Sequence, residues 1–478
     1  MSSRRRIAIA GFAFLLVTAG TLTVDPAGAA HLACGQVVTT SVTLDSDLFC
    51  PTGNGLILQG NGLVLNLNGH TIRGQLDSRT VSQPNALGDN GVLGGPYTTR
   101  FATGQFVGID IRGSRNVVVG PGTVKHFAAG VVINGFNGGG YNTVRGLTVE
   151  ENIGPPVSEF FGDGIMVLES SNNRVGLNTV RNNGAYDGIV LLGNADSNLI
   201  HDNRVAENVV PETCPNEDVF VFSVSGGGQQ HLCGPTHPTR KPFTFVNQQN
   251  HGIKLEVGGS GGAPNNNIVQ NNLITGNGNT GIFVPTTCPD LGETAQQECF
   301  GEQISDNLFR GNQANANGFG YPAGLPDRRV FEGPVNGGGG MTIMIGGPKP
   351  AIRSNVTGNT FNDNARDGVA VLPHRAGSGV TSSYFRSNTA LRNNKLNGGI
   401  PAFNGQDGNV FINPQTPCDN NVWANNNFGS SPADIGGPIP PNNLSSHPCV
   451  GPVLPPSPTQ ASAARESTPA GPVRLSRG

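Results

Sequence analysis

Charge is scarce in this chain of 478 residues: Asp, Glu, Lys and Arg make up 13%, and the formal net charge is −3. A balance this close to neutral offers no basic surface, so neither nucleic acid nor an anionic membrane is expected as a partner. Aromatic side chains are also few, with one Trp and five Tyr, so no stacking platform for neutral sugars is evident. Lys occurs only five times, which makes each one conspicuous. Long apolar runs are missing beyond the N-terminus, so the mature chain is expected to have no membrane span.

Gly, with 71 copies, is abundant instead. Such a composition points toward low complexity, but Val, Ile and Leu are regularly spaced, and a packed core is expected. Arg4, Arg5 and Arg6 precede a mostly apolar stretch from Ile7 to Val24, and Ala27-Gly28-Ala29 follows with the small residues of a cleavage site. This reads as a signal peptide over residues 1–30, and hence as a secreted, extracellular protein. A membrane anchor fits less well, because the run is short and ends in a cleavage motif. A lipoprotein fits poorly too, since His31-Leu32-Ala33 before Cys34 is a weak lipobox.

The eight Cys fall into four neighbouring pairs: Cys34 with Cys50, Cys214 with Cys233, Cys288 with Cys299, and Cys418 with Cys449. An even count in an exported chain favours disulfides, and these groupings are too loose for a structural zinc site. Each bridge would close a short loop and pin a local insertion or an end.

Two motifs alternate along the chain. One is Asn-x-Val-x-x-Asn-x-Val-x-x-Asn, cleanest at Asn173, Val175, Asn178, Val180 and Asn183, and repeated from Asn198 to Asn208 and from Asn267 to Asn277. Looser copies end at Asn152, Asn312, Asn364 and Asn393. The other is Gly followed by alternating aliphatic residues, as in Gly164-Ile165-Met166-Val167, Gly188-Ile189-Val190-Leu191 and Gly252-Ile253-Lys254-Leu255. Alternation marks short strands with one inward face, and Asn tolerates the left-handed bends between them. Gly164 to Gly188 is one coil of 24 residues. The expectation is an all-β, single-stranded right-handed parallel β-helix of about ten coils, each with three short strands. It would occupy residues 31–451, with an N-terminal cap, a disulfide-tied C-terminal end and a disordered Pro/Ser/Ala tail over 452–478.

The opening, Cys34-Gly35, Leu48-Phe49-Cys50 and then Val64-Leu65-Asn66-Leu67-Asn68-Gly69-His70-Thr71-Ile72, resembles the N-terminal cap of secreted bacterial members of the right-handed parallel β-helix repeat family. That group includes pectate lyases and polygalacturonases. The resemblance implies the pectin-lyase-like fold over about residues 32 to 430. It does not carry an activity. The Asn-Thr-Asp, Asp-Asp, Gly-His-Gly and Arg-Ile-Lys strings of polygalacturonases are absent, as is the Trp-Ile-Asp-His motif of pectate lyases.

Insertions fall unevenly. The longest, from Asn208 to Gly252, carries Cys214, Cys233 and the basic pair Arg240-Lys241. It is either a functional loop or drift in a tolerant scaffold. Aligning the Gly strands stacks Asp163, Asp187 and His251, with Lys254 projecting outward and Glu256 beyond it. A base and a charge neutraliser side by side suit chemistry on a uronate. Lys254, His251 and Asp187 are therefore the catalytic candidates, with Glu256, Arg240 and Lys241 as substrate contacts. Asp163 and Asp187 could together hold a cation such as calcium. The plainer alternative is that Asp before Gly only makes a turn, and Asp367 in the same slot far away supports it. Two functions stay open: a lyase or epimerase on an acidic polysaccharide, or a non-catalytic extracellular or envelope scaffold that adheres by its flank. Either is expected to be a monomer.

Overall fold

A computed structural model of the chain describes residues 29–51, 53–74, 107–137, 139–152, 162–184, 187–208, 219–223, 229–233, 251–257, 262–285, 304–318, 339–345, 351–373, 380–393, 395, 404–407 and 421–429. Three long sheets of twelve, eleven and eight strands organise it, each adding strands in chain order. One coil shows the plan. Asp163–Leu168 lies in the Gly sheet, Arg174–Gly176 in a first Asn sheet, and Thr179–Arg181 in a second. The chain then returns to the Gly sheet at Ile189–Leu192, where Ile165 pairs in parallel with Ile189. The offset of 24 residues is that of the sequence repeat. Parallel pairing through every turn, with the usual hand of parallel crossovers, makes a right-handed parallel β-helix. The described residues include no helix long and apolar enough to cross a membrane.

The repeated Asn residues do something other than bend the chain. In each coil the left-handed residue is the one before the Asn: φ is 63° at Asn172, 60° at Leu177 and 54° at Asn182. In the next coil it is Ser197, Asp202 and Glu207. The Asn itself is buried and joins a ladder. Asn178 Oδ1 accepts the backbone N–H of Leu147 at 3.0 Å, while its Nδ2 donates to Val144 O at 3.1 Å and to Asn203 Oδ1 at 3.0 Å. Asn203 repeats this toward Asn272, and Asn272 toward Asn312. Parallel ladders run through Asn173, Asn198 and Asn267, and through Asn183, Asn208 and Asn277. Only a short amide supplies an acceptor and a donor to one coil and a second donor to the next. The same ladders correct the repeat boundary: Asn312 is the middle Asn of its coil, and Asn317 is the last, bonded to Asn277 and Asn364.

Inside, one aliphatic residue per short strand forms a continuous core. Later coils admit Phe, and its placement alternates. Phe309 is opposed in its coil by Ala314, Val356 by Phe361, and Phe385 by Ala390, all buried. Phe309, Val356 and Phe385 stack in one sheet, so no two Phe lie in register in adjacent coils. These three coils hold one ring each, whereas the last described coil holds two, Trp423 stacked on Phe385 at 4.0 Å and edge-on to Phe428. The Gly column follows from the same crowding. A Cβ on Gly164 would lie 2.5 Å from Val180 Cγ1 and 2.6 Å from Gly188 O.

At the N-terminal end, Cys34 and Cys50 form a disulfide with Cα atoms 5.4 Å apart. Cys214, Cys288, Cys299, Cys418, Cys449 and the side chain of Cys233 lie outside the described residues. Ala29–Ala30, at the end of the expected leader, pair with Thr43 and Leu44. Residues 452–478 lie outside the described set.

The ladder yields a direct test. Asn203→Asp keeps size and shape but removes both Nδ2 donors and buries a charge beside carbonyl oxygens. It should cost about 3 kcal/mol or more at neutral pH. Burial would raise the new carboxyl's pKa in the folded state, so the deficit should shrink as pH falls toward 4. Urea midpoints of both proteins at two pH values check this, and equal midpoints at neutral pH would count against the ladder.

Candidate functional site

The Gly sheet has two faces. Ile165, Ile189 and Ile253 point into the core, so the alternate residues point out. One outer row runs Asp110, Val132, Met166, Val190, Lys254, Phe283, and a second runs Arg112, Asn134, Leu168, Leu192, Glu256. Outward does not mean exposed here. Val132, Met166, Val190 and Phe283 are all buried, and the Lys254 side chain keeps 2% of its surface. Lys254 does leave the core side as its outward projection implies, but it enters a second buried layer instead of solvent.

Lys254, Asp163, Asp187, His251 and Glu256 do come together. Lys254 Nζ lies 2.6 Å from Glu256 Oε2 and 3.9 Å from Asp187 Oδ2. The stacked residues are wired through the backbone. Asp187 N–H donates to Asp163 Oδ1 at 3.0 Å, His251 N–H to Asp187 Oδ1 at 3.1 Å, and Thr280 N–H to His251 Nδ1 at 3.2 Å. The His251 ring stacks on Phe283 with centroids 4.2 Å apart.

These contacts set the protonation states. Burial pushes the Asp187 carboxyl up to about 7, against the pull of Lys254. Asp163 is raised well above the usual carboxylate range, by burial first and the Asp187 charge second. His251 is held well below its ordinary value by burial and by the Lys254 charge. The Thr280 N–H acts the same way, because only a bare Nδ1 can accept it, leaving the ring proton on Nε2. For Lys254, burial works against the ammonium, but Glu256 and Asp187 outweigh it and the pKa rises. Lys254 is therefore a fixed positive charge and a poor base. The group poised to exchange a proton near neutral pH is Asp187.

Calcium does not fit this pair. Both carboxylates already accept backbone N–H groups, and the Lys254 ammonium supplies the positive charge beside Asp187. Among the described residues, no three His, Cys, Asp or Glu gather in a way that could hold a metal. Arg240 and Lys241 lie outside the described residues.

Sequence reasoning missed a second charged pair in the same two rows. Asp110 is fully buried, and its Oδ2 accepts from Arg112 Nε at 2.6 Å. Burial raises Asp110 to about 6, while Arg112, and less strongly Asn134, pull it down. The signal was present in Gly108-Ile109-Asp110-Ile111: a charge in the outward slot, as at Lys254.

Lys254→Met should destabilise the fold by about 3–5 kcal/mol at pH 8, since it strips the counter-ion from buried carboxylates. Carboxyls whose folded pKa is raised bind protons more tightly folded than unfolded, so their stabilising contribution falls as pH rises from about 4 through about 7. Removing Lys254 lifts those pKa values further, so the deficit should be small at pH 5. Thermal melts across that range check the slope, and a pH-independent deficit would contradict it.

No family model matches the chain, and no curated protein does. Among solved structures, the periplasmic alginate epimerase AlgG is similar over 82% of this chain and 76% of its own, at 10% identity and a TM-score of 0.42. The mannuronan C-5 epimerase A-module of Azotobacter vinelandii covers 82% and 80%, at 10% and 0.42. An alginate lyase from a Paenibacillus species covers 78% and 92%, at 13% and 0.36. The sheet topology itself establishes this chain as a right-handed parallel β-helix.

Proposed function

We propose that this is a secreted protein that binds an acidic polysaccharide at the Lys254–Glu256 pair on the outer side of the Gly sheet, with Lys254 as the charge that recognises a uronate carboxylate. One observation carries the reading. A buried ammonium, with three carboxyl groups around it, interrupts an apolar outer row of Val132, Met166, Val190 and Phe283. Apolar residues in place of Lys254 and its carboxylates together would hold the sheet at least as well, so the cluster calls for a reason other than stability. Glu256 occupies the position a substrate carboxylate would take, 2.6 Å from Nζ, and its side chain keeps 11% of its surface. A uronate would enter there and displace it. Arg240 and Lys241 belong to the same proposal on sequence grounds alone.

If the bound polymer is also turned over, the roles follow from protonation. Lys254 neutralises the sugar carboxylate, which acidifies the adjacent C–H. Asp187, with a pKa of about 7, accepts that proton. His251 Nε2–H is a hydrogen-bond donor. Loss of the substituent across the bond gives a lyase, and return of a proton to the other face gives an epimerase. The second reading, an adhesive scaffold without turnover, is favoured by the burial and mutual pairing of these same groups.

The test is a panel of polyuronates and neutral polysaccharides, measured for binding by calorimetry and for unsaturated products by ultraviolet absorbance. Binding to polyuronates alone is expected. Asp187→Asn should then remove any turnover by about 100-fold or more while retaining binding. Equal binding to neutral polymers, or no binding at all, would overturn the proposal.

A further inference from the structure

The near-neutral net charge conceals a segregation of charge on the first Asn sheet. None of its twelve strands contains an Asp or Glu, whereas they hold Arg145, Arg174, Arg310 and Arg386. In a three-residue strand whose middle residue enters the core, both flanking residues face outward. Unlike the outer layer of the Gly sheet, this face is open. All four Arg are exposed, and among the described residues none of them has an ion-pair partner.

Two columns run down the face. In one, Arg145, His201, Arg310 and Arg386 take every second strand, with Gly176, Gln270 and Thr357 on the strands between. In the other, Leu199, Ile268 and Leu308 lie half-buried on consecutive strands, and Tyr384 stands exposed two strands further on. His201 is engaged, since its Nδ1 lies 2.7 Å from Asp202 Oδ2. The Arg charges are not cancelled. Arg310 Nε donates to the neutral Gln270 Oε1 at 2.7 Å, and the Arg386 guanidinium lies 4.8 Å from the centre of the Tyr384 ring. The flanking corner residue Asp306 is held by both arms of Arg353.

The spacing selects among anions. Arg145 and Arg310 are four strands apart, or about 19 Å, and Arg310 and Arg386 two strands, or about 10 Å. A pyranose ring, spanned by bonds of about 1.5 Å, advances a polymer by about 5 Å, close to one strand spacing. An extended two-fold chain of uronates turns every second carboxylate to the same side, so its period matches two strands. Duplex nucleic acid, with one charge per about 1.7 Å of axis, calls for a denser array of cations. A guanidinium binds a carboxylate through two parallel N–H bonds, and the Leu/Ile column offers the apolar faces of sugar rings a strip to cover.

We infer that the outer face of the first Asn sheet is a docking surface for a linear polyuronate lying along the solenoid axis, with carboxylates on Arg145, Arg310 and Arg386 and ring faces on Leu199, Ile268, Leu308 and Tyr384. The polymer class rests on the reading proposed above, but the surface lies on a different sheet from Lys254 and does not need it. Each exposed contact is weak by itself, so the face holds long chains by the sum of its contacts and releases short ones.

The experiment compares wild type, the triple variant Arg145→Gln/Arg310→Gln/Arg386→Gln, and Lys254→Met. Binding of long polyuronate, a neutral polysaccharide, duplex DNA and phosphatidylglycerol vesicles is measured by calorimetry at about pH 5, where the loss of Lys254 costs least stability. The triple variant should melt as wild type does, since the three side chains are exposed. It should bind long polyuronate about 10-fold or more weakly, with a flatter dependence on salt. Full affinity in the triple variant overturns the surface, and loss in Lys254→Met alongside it leaves the polysaccharide reading standing. Loss in the triple variant with full affinity in Lys254→Met supports the surface and removes Lys254 from recognition. Wild type that binds DNA or vesicles as tightly as polyuronate overturns the assignment of the face to a polyuronate, and wild type that binds no polyuronate removes both proposals.

Discussion

Everything in this molecule hangs on a side-chain amide that faces two ways along the axis. Each ladder Asn accepts from the coil before it, through Oδ1, and donates to the coil after it, through Nδ2. The corners of a β-solenoid are where sheet hydrogen bonding stops, and there the backbone would otherwise be left without partners. Three Asn columns fill those corners and free the flanking residue to take left-handed geometry, whatever its identity. That is why Leu177, Glu207 and Arg392 appear at positive φ, where Gly or Asn would be expected.

Because the ladders hold the corners, the core can be minimal. One aliphatic residue per short strand suffices, and Phe309 and Phe385 are each admitted opposite an Ala, at Ala314 and Ala390. The outer face of the Gly sheet is a second buried layer, and it obeys different rules. It is apolar in the middle, at Met166 and Val190, and charged on either side, at Asp110–Arg112 and Lys254–Glu256. Burial there strengthens every charge interaction, which is why Asp187 titrates near neutrality and His251 stays uncharged.

The fold was legible because its period is a local property. Asn173 to Asn183 and Gly164 to Val167 state strand, bend and return within one coil, and every later coil repeats them. The grouping of Asp163, Asp187, His251, Lys254 and Glu256 was legible for the same reason, since register in a solenoid follows from counting. What could not be counted was burial. The repeat shows that Lys254 leaves the core side of its sheet, but not that the other side is dry. Nor could it assign the work of Asn between bend and ladder, because both roles prefer the same residue. Asp110 was passed over although it occupies the same slot as Lys254. Its significance lies in complete burial beside Arg112, and no spacing reveals that.

The ladder also makes coils interchangeable. The central coils, from Asn173 to Asn317, each present three amides to their successor, with Ser354 and Ser383 taking the first slot in later coils, while insertions leave on either side of the Gly strand, outside this exchange. A whole central coil could therefore be duplicated or lost without altering any junction. Length in such a molecule is a quantity that heredity can adjust by copying. The length of its outer face, and with it the spacing between the Asp110–Arg112 and Lys254–Glu256 pairs, would be tuned in steps of one strand.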